Sequence, residues 1–148
     1  MFTHILIPTD GSELSAVATE SALSLAKTHK AKVTIMMASP TFRQMADEGF
    51  ILPGLQMGKR DWEEAATNRA RKVLDDVAGQ AASAGVKCDT VHVFKDMPHT
   101  AIIDTAKKQG CDLIVMGSHG YGGFKQWVLG SETTRVLSQS KIPVLVYR

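Results

Sequence analysis

Short apolar runs alternate along the chain with segments whose apolar residues recur at helical spacing. The five apolar runs lie at residues 4–7, 32–38, 86–94, 113–116 and 143–147. Each has the length of a β-strand, and the runs at 32–38 and 113–116 are apolar enough to be buried on both faces of a sheet. The amphipathic segments between them predict helices that pack on this sheet. The alternation predicts one parallel α/β sheet with right-handed helical crossovers.

Turn and cap residues set the ends of the predicted helices. Pro8 ends the first strand, and residues 9–12 (TDGS) turn into a helix with Ser12 or Asp10 as its cap. Its inward face is predicted to hold Leu14, Val17, Ala18, Ala22 and Leu25. A long helix over residues 60–84, a helix that starts at Pro98 and a helix over residues 131–139 complete the pattern.

Residues 39–57 show neither the apolar spacing of a helix nor that of a strand. Prolines and glycines interrupt this segment, which nevertheless carries several large apolar side chains, among them Phe42, Phe50 and Leu55. A long loop that is rich in apolar residues is expected to cover another surface or a ligand. Two interpretations stay open: a lid over a ligand, or a cover for a bare helix face or subunit contact.

The composition excludes several classes of function. The 148 residues include 17 basic and 15 acidic side chains that are scattered along the chain, so nothing resembles a basic stripe for nucleic acid. Cys88 and Cys111 lack the spacing of a zinc or redox site. We find no membrane-spanning run and no signal peptide before the first strand. We therefore expect one soluble, reduced, cytoplasmic domain over residues 1–148.

A glycine-rich stretch at residues 117–131 (GSHGYGGFKQWVLGS) joins the fourth strand to the last helix. Glycines let backbone N–H groups approach a ligand closely, and the helix that opens at Gly130 and Ser131 presents the positive end of its dipole. Such a loop suits a phosphate. Its spacing matches neither the P-loop motif nor the Rossmann fingerprint. A surface loop in which Ser131 is merely an N-cap stays open at this point.

Four motifs combine these glycines with acidic and hydroxyl residues and with buried strands. They are residues 9–12 (TDGS), residues 112–120 (DLIVMGSHG), the pair Gly130 and Ser131, and residues 143–146 (PVLV). Together they resemble the universal stress protein family, and the glycine spacing is similar to that of its ATP-binding branch. The resemblance runs through almost the whole chain and is weakest at residues 39–59. It implies a single doubly wound domain, with a five-stranded parallel sheet of order 3-2-1-4-5 and helices on both faces.

That strand order reverses between the first and fourth strands, where doubly wound sheets bind ligands. The turn at residues 9–12 and the glycine loop then meet in one crevice, with ATP as the expected ligand. The resemblance also places the adenine edge against the main chain at the end of the second strand. The predicted nucleotide site comprises Pro8, Thr9, Asp10, Met37, Ala38, Met116, Gly117, Ser118, His119, Gly120, Gly130, Ser131, Glu132 and Thr133.

Each group has a provisional role in this prediction. The phosphates are expected to bind backbone N–H groups and hydroxyls of Gly117, Gly120, Gly130, Ser131 and Thr133. The Asp10 carboxylate is expected to accept from ribose hydroxyls, with an ordinary helix cap as the alternative. For His119, contact with a phosphate and exposure to solvent both stay open.

Two residues depart from the usual pattern of the family. Glu132 stands where a small apolar residue is usual, and its carboxylate would compete with a phosphate for the helix N–H groups unless a divalent cation lies between them. Two roles are therefore open for Glu132: coordination of Mg²⁺, or a weakening of triphosphate binding. Lys95 stands where relatives often have glycine, and it adds a positive charge.

Two functions remain after this comparison of motifs. The first is a nucleotide-dependent module of the stress response that binds ATP, hydrolyses it slowly at best, and acts on an unknown protein partner. The second is a homodimeric interaction module that binds no nucleotide, for which Glu132 is the only support. The resemblance implies a homodimer through the last strand in either case. The sequence lacks hydrolase, metalloenzyme and nucleotidyl transferase motifs, so we expect no efficient enzyme.

Overall fold

The computed structural model describes residues 1–51, 57–118 and 129–148. Its strands are β1 (His4–Pro8), β2 (Lys32–Ser39), β3 (Cys88–Phe94), β4 (Leu113–Gly117) and β5 (Val144–Tyr147). Its helices are α1 (Glu13–His29), α2 (Phe42–Asp47), α3 (Lys59–Ser83), α4 (Pro98–Gln109) and α5 (Ser131–Gln139). The predicted alternation of strands and helices is confirmed, with α2 as an additional short helix.

All five strands pair in parallel in the order β3-β2-β1-β4-β5, which confirms the expected doubly wound sheet. The central strand is β1, in which Ile5 lies opposite Val33 of β2 on one side and Leu113 of β4 on the other. The chain runs outward from β1 to β3 and then crosses back to β4 and β5. The strand order therefore reverses between β1 and β4.

Apolar residues on the two faces of the sheet form two separate cores. One core joins the sheet to α1 and α3 through residues that include Ile5, Ile7, Ala22, Ile35, Leu74 and Val77. The other joins the sheet to α4 and α5 through residues that include Leu6, Met36, Ile102, Ala106, Ile114 and Val136. Successive residues of a strand point to opposite faces, so β1 and β4 contribute to both cores. Each fully buried Ile or Leu contributes about 1.5–3 kcal/mol, and together they hold the sheet between two helix layers.

The inward face of α1 differs from the prediction. Leu14 and Val17 are 54% and 48% exposed. The buried residues are instead Ser15, Ala18, Thr19, Ala22, Leu23 and Ala26. Most of these side chains are small, and they recur at the spacing of one helix face, which lets α1 lie close to the sheet. The prediction for Leu14 and Val17 was wrong because the size of the side chains, and not their hydrophobicity alone, decides which face packs.

The remaining helices follow their predicted start and stop signals closely. The long predicted helix is α3, and α5 has the predicted bounds. Pro98 is the first residue of α4, where the N–H that proline lacks has no intrahelical acceptor in any case. The strand β3 begins at Cys88, later than predicted, after the buried Val86. In the described ranges, we find no helix with the length and apolar character needed to cross a bilayer.

Polar contacts order the beginning of the irregular segment at residues 39–57. The Thr41 hydroxyl caps α2 by accepting from the Gln44 N–H at 3.2 Å. The Thr41 N–H donates to Asp96 Oδ1 at 3.0 Å, which ties α2 to the turn between β3 and α4. The helix was not predicted because one and a half turns carry too little periodicity. Residues 52–56 lie outside the described residues, and both interpretations of the segment stay predictions.

The two edge strands have different surfaces. On β3 the exposed residues include Asp89 and Thr90. On β5 the exposed residues are Leu145 at 41% and Tyr147 at 38%. Val144 packs into the core shared with α4 and α5, so Leu145 and Tyr147 lie on the opposite face of the sheet, the one that carries α1. Apart from Phe94, which is 36% exposed and lies against Trp62, the exposed side chains of β3 are polar, whereas those of β5 are apolar.

Candidate functional site

The reversal of strand order places two connections side by side at the carboxyl edge of the sheet. The turn after β1 leads to α1 on one face, and the segment after β4 leads to α5 on the other face. Because the two connections leave in opposite directions, a crevice opens between them, which is where doubly wound folds bind ligands. Ile5 lies opposite Leu113 and Leu6 opposite Ile114, a register that sets Pro8 level with Met116 at this edge.

Hydroxyl and carboxylate groups hold the turn after β1 in place. The Thr9 N–H donates to the Met36 carbonyl at 2.9 Å, and the Thr9 hydroxyl lies 3.0 Å from the Ser15 hydroxyl. Asp10 Oδ1 accepts from the Ser12 N–H at 2.9 Å. Ser12 in turn accepts from the Ser15 N–H at 3.2 Å and is the N-cap of α1. Of the two candidates for the cap, Ser12 is therefore the cap, and Asp10 shapes the turn before it.

Gly11 is required in this turn by its conformation and by its surroundings. Its φ of +79° lies in the left-handed region that glycine adopts without strain. A Cβ at this position would lie 3.1 Å from Cγ2 of Val73 in α3, closer than most real contacts of a Cβ. The turn is thus pressed against α3, and this contact fixes the position of Asp10 above the sheet.

Main-chain groups at the end of β2 face the same crevice. Residues of a strand point their N–H and C=O groups alternately toward the two neighbouring strands. The Met36 carbonyl accepts from the turn after β1, and the Ser39 carbonyl accepts from the Lys95 N–H at 2.9 Å on the β3 side. Ala38 therefore points its main-chain groups to the β1 side, past the end of β1. The main chain of Met37 faces β3, and its side chain is buried in the core shared with α1 and α3.

Hydrogen bonds fasten the segment after β4 to β5 and α5. The Ser118 N–H donates to the Tyr147 carbonyl at 2.9 Å, and the Gly130 N–H donates to the Ser118 carbonyl at 2.8 Å. The buried Thr133 hydroxyl lies 3.2 Å from the carbonyl oxygens of both Gly117 and Ser118 and donates to them. The Gly130 N–H and the Thr133 hydroxyl, which were predicted to bind a phosphate, thus hold the two ends of the loop in this structure.

The first turn of α5 presents N–H groups at the carboxyl edge of the sheet. Gly130 occupies the N-cap position, and the first helical bond runs from the Thr134 N–H to the Gly130 carbonyl at 3.0 Å. The N–H groups of Ser131, Glu132 and Thr133 belong to the end of the helix that has no intrahelical acceptors. With the helix dipole they form an end suited to an anion. Gly130 and not Ser131 is the N-cap, so the exposed Ser131 hydroxyl has no capping role.

Four other residues of the predicted site have simpler positions. Pro8 is the last residue of β1 and is half-buried. Met116 is buried in the core shared with α4 and α5, so its side chain packs inside the protein and does not face the crevice. His119 and Gly120 lie outside the described residues, and their part in binding a phosphate stays a prediction.

The Glu132 carboxylate turns away from its own helix end and binds α4. Its Oε2 accepts from the His99 N–H at 2.7 Å and from His99 Nδ1 at 2.8 Å, and its Oε1 accepts from Arg135 at 2.8 Å. Although partial burial opposes it, the hydrogen bonds from His99 and the charge of Arg135 hold the pKa of Glu132 below its usual value. Sequence reasoning missed this contact, because no spacing rule relates the starts of two separate helices.

Lys95, the second departure from the family pattern, also has a partner. Its Nζ lies 2.5 Å from Asp104 Oδ2 on α4, so its charge is balanced there. Within residues 1–51, 57–118 and 129–148, no cluster of His, Cys, Asp and Glu has the arrangement of a metal site. Among the described residues, the turn after β1 carries Asp10, and α5 carries Glu132 paired with Arg135.

Comparisons with known sequences give a consistent result along the whole chain. The profile of the Universal stress protein family matches residues 1–148. The chain is 32% identical over 152 residues to universal stress protein YxiE of Bacillus subtilis, and all of both chains is covered. It is 29% identical over 157 residues to universal stress protein MJ0577 of Methanocaldococcus jannaschii, which covers 100% of this chain and 96% of that protein.

Solved structures share the fold. The structure of MJ0577 has a TM-score of 0.82 at 27% identity, and the match covers 99% of this chain and 95% of that chain. A universal stress protein in complex with cAMP has a TM-score of 0.68 at 23% identity, over 99% and 97% of the two chains. One from Archaeoglobus fulgidus in complex with dAMP has a TM-score of 0.68 at 17% identity, over 99% and 98%. At these identities the last two matches establish the fold alone.

Proposed function

The chain belongs to the universal stress protein family, and on that premise we propose that it binds an adenine nucleotide, ATP above all, in the crevice between β1 and β4. One observation carries the proposal: three kinds of polar group meet at one edge of the sheet. They are the Asp10 turn, the main chain of Ala38 and the first turn of α5. These groups suit a ribose, an adenine edge and a phosphate chain respectively.

The base and the sugar would bind on the β1 and β2 side of the crevice. The N–H and C=O groups of Ala38 offer a donor and an acceptor to the adenine edge, with Pro8, Thr9 and Met37 around it. The Asp10 carboxylate accepts hydrogen bonds, which is what ribose hydroxyls require. Its place is set by the bond to the Ser12 N–H and by the contact of the turn with α3.

The phosphates would bind on the α5 side. The exposed Ser131 hydroxyl and the N–H groups of the first turn of α5 are the donors there, beside the end of β4 at Gly117 and Ser118. Thr133 and Gly130 support these donors through their bonds to Ser118. In this proposal the phosphates bind to backbone dipoles more than to side-chain cations, since Arg135 is already paired with Glu132.

The proposed role is that of a cytoplasmic module in the stress response. The bound nucleotide changes the surface that the protein offers to a partner, through residues 39–57 or through a dimer contact. We assign no catalytic residue, and hydrolysis of ATP at this site is expected to be slow at best. The alternative, an interaction module without nucleotide, would predict no binding in the experiment below.

The same family membership leads to a second proposal, a homodimer that pairs through β5. Leu145 and Tyr147 are exposed on the α1 face of this edge strand, and Leu14 and Val17 are exposed on α1 itself. An apolar strand edge needs a cover, and a second copy of the same strand supplies one with matching character.

The nucleotide site can be tested by calorimetric titration with ATP, with and without Mg²⁺. We expect micromolar binding by the wild type and a loss of at least about 100-fold in Gly130→Trp, whose side chain would stand at the N-cap of α5, beside the N–H groups proposed to bind the phosphates. Gly79→Trp is the matched control, because Gly79 lies on the exposed side of α3 and a Cβ there meets nothing within 4 Å. Circular dichroism should show that both variants are folded. The absence of heat with wild type at millimolar ATP would favour the interaction module.

A further inference from the structure

The Glu132 carboxylate connects the beginnings of two helices. Met97, the N-cap residue of α4, provides no side-chain hydrogen bond, and Pro98 is the first helical residue. Oε2 of Glu132 accepts from the N–H of the next residue, His99, at 2.7 Å. That N–H has no acceptor within its own helix, and a carboxylate beside it also faces the positive end of the α4 dipole. Glu132 thus does from α5 what an N-cap side chain does from within a helix.

The His99 ring makes the connection more rigid. Nδ1 lies 2.8 Å from the same Oε2, and because a carboxylate can only accept, Nδ1 must carry the proton in this pair. The His99 side chain is 7% exposed, so one side of the contact is shielded from water. Arg135 holds the other oxygen, Oε1, at 2.8 Å. Both carboxylate oxygens therefore have protein partners.

These contacts act on the part of α5 that faces the phosphates. Glu132 is the second residue of α5 and lies between Ser131 and Thr133, whose N–H groups are at the same helix end. On the sheet side, the Thr133 hydroxyl donates to the carbonyl groups of Gly117 and Ser118. The first turn of α5 is consequently held from two directions, by β4 through Thr133 and by α4 through Glu132.

We propose that Glu132 is a positioning residue that clamps the first turn of α5 to α4 and so presets the N–H groups that receive the nucleotide phosphates. This role rests on the nucleotide site proposed above. It differs from both roles that the sequence left open. Three hydrogen bonds already occupy the carboxylate, so a ligand of Mg²⁺ would have only one lone pair of Oε1 left, and a competitor of the phosphates would have to turn back to the N–H groups of its own helix.

The test compares the affinities for adenosine, AMP and ATP, with and without Mg²⁺, in Glu132→Ala and Glu132→Gln. For Glu132→Ala we expect AMP and ATP to bind about tenfold more weakly whether or not Mg²⁺ is present, and adenosine to bind as in the wild type. In Glu132→Gln the amide oxygen still accepts from the His99 N–H, so most of the affinity should be kept. Asp61→Ala is the matched control, since Asp61 is an acidic residue in the first turn of another helix, α3.

Three results would overturn the proposal. Tighter binding of AMP and ATP in both Glu132 variants would show a competitor of the phosphates. A loss that occurs only with Mg²⁺ would show a metal ligand. An equal loss for adenosine would show a general disturbance of the fold, because adenosine has no phosphate for α5 to bind.

Amide hydrogen exchange separates this proposal from the nucleotide site. Removal of the carboxylate should speed exchange of the His99 N–H at least about tenfold in Glu132→Ala and not in Asp61→Ala, since that N–H loses its acceptor. Unchanged exchange would overturn the clamp whatever the protein binds. If the wild type binds none of the three ligands, the phosphate role falls together with the nucleotide site, and faster exchange then leaves Glu132 as a structural cap of α4.

Discussion

Polar side chains at the amino edge of the sheet form specific hydrogen bonds. At the amino edge, the Asp112 carboxylate accepts from the Thr3 N–H, the Thr3 hydroxyl and the His4 N–H at 2.7 to 3.0 Å. His4 is itself buried, with Nε2 2.8 Å from the Thr34 hydroxyl. Although its partial burial opposes it, these hydrogen bonds hold the pKa of Asp112 below its usual value. The strand β1 is thus anchored by groups that titrate.

The burial of His4 predicts a pH dependence of stability. Burial, assisted by the charge of Lys32, lowers the pKa of His4 from 6.5. The unfolded chain takes up this proton at a higher pH than the folded chain. The contribution of His4 to the free energy of unfolding is therefore fully present above pH 6.5 and is lost as the pH falls below this value. The loss for one group cannot exceed about 1.4 kcal/mol per pH unit.

Urea unfolding at pH 7.5, 6.5 and 5.5 measures this effect. His4→Gln should show a smaller decline between the two lower values than the wild type, whatever its stability at pH 7.5. His92 acts in the same direction, because burial lowers its pKa as well. In the double variant that also carries His92→Gln, the free energy of unfolding should therefore depend on pH even less. A decline as steep in His4→Gln as in the wild type would show that His4 is not responsible.

At the scale of elements, α1 illustrates how helix and sheet fit together. Its buried face consists mainly of Ala, Ser and Thr, and Ala22 and Ala26 are fully buried against the strands. A helix that lies this close to a sheet has no room for larger side chains, because protein interiors are packed to the density of crystals. Which face of α1 is buried therefore depends on how the helix fits against the sheet, and not on the helix sequence alone.

Replacement of Ala22 by Leu tests this close fit. We expect Ala22→Leu to lower the free energy of unfolding by about 1–3 kcal/mol, since the added atoms have no space between α1 and the sheet. Ala16→Leu places the same change on an exposed position of the same helix and should alter stability by less than about 0.5 kcal/mol. Urea denaturation measures both. Equal effects in the two variants would contradict the observed packing.

The elements themselves could be predicted from the sequence, whereas several of their contacts could not. Apolar runs and turn residues such as Pro8 and Pro98 report on one segment at a time, and they located every strand and most helices. The meeting of the Asp10 turn with the fourth-strand loop followed from the topology that the resemblance implied. The bond between Glu132 and His99, and the partner of Lys95, depend on the approach of two elements in space, for which one sequence carries no signal.

At the scale of the whole molecule, the parallel sheet separates stability from function. The two cores lie on the faces of the sheet and the Asp112 contacts at its amino edge, while the groups proposed to bind a nucleotide lie at its carboxyl edge. The exposed side chains of Leu145 and Tyr147 lie outside both regions, although Val144 of the same strand packs against one core and the Tyr147 carbonyl accepts from the Ser118 N–H. Changes to these two exposed side chains should therefore alter assembly without altering the fold or the proposed nucleotide site.

The proposed dimer gives a prediction for assembly. Sedimentation of the wild type should give a mass of twice 16.0 kDa, and Leu145→Lys should sediment as a monomer because a charge would be buried in the contact. Leu137→Lys is the matched control, since Leu137 on α5 is also 41% exposed. It should stay dimeric. A monomeric wild type at micromolar concentration would exclude the dimer.

The unequal edges of the sheet have a consequence for the growth of assemblies. Pairing of β5 with a second β5 would use up the apolar edge of both chains. What is then left at either end of the joined sheet is β3, where the exposed Asp89 and Thr90 discourage the addition of another strand and Phe94 lies against Trp62. The proposed dimer is therefore expected to be self-terminating: assembly would stop at two copies and would not extend into a fibre.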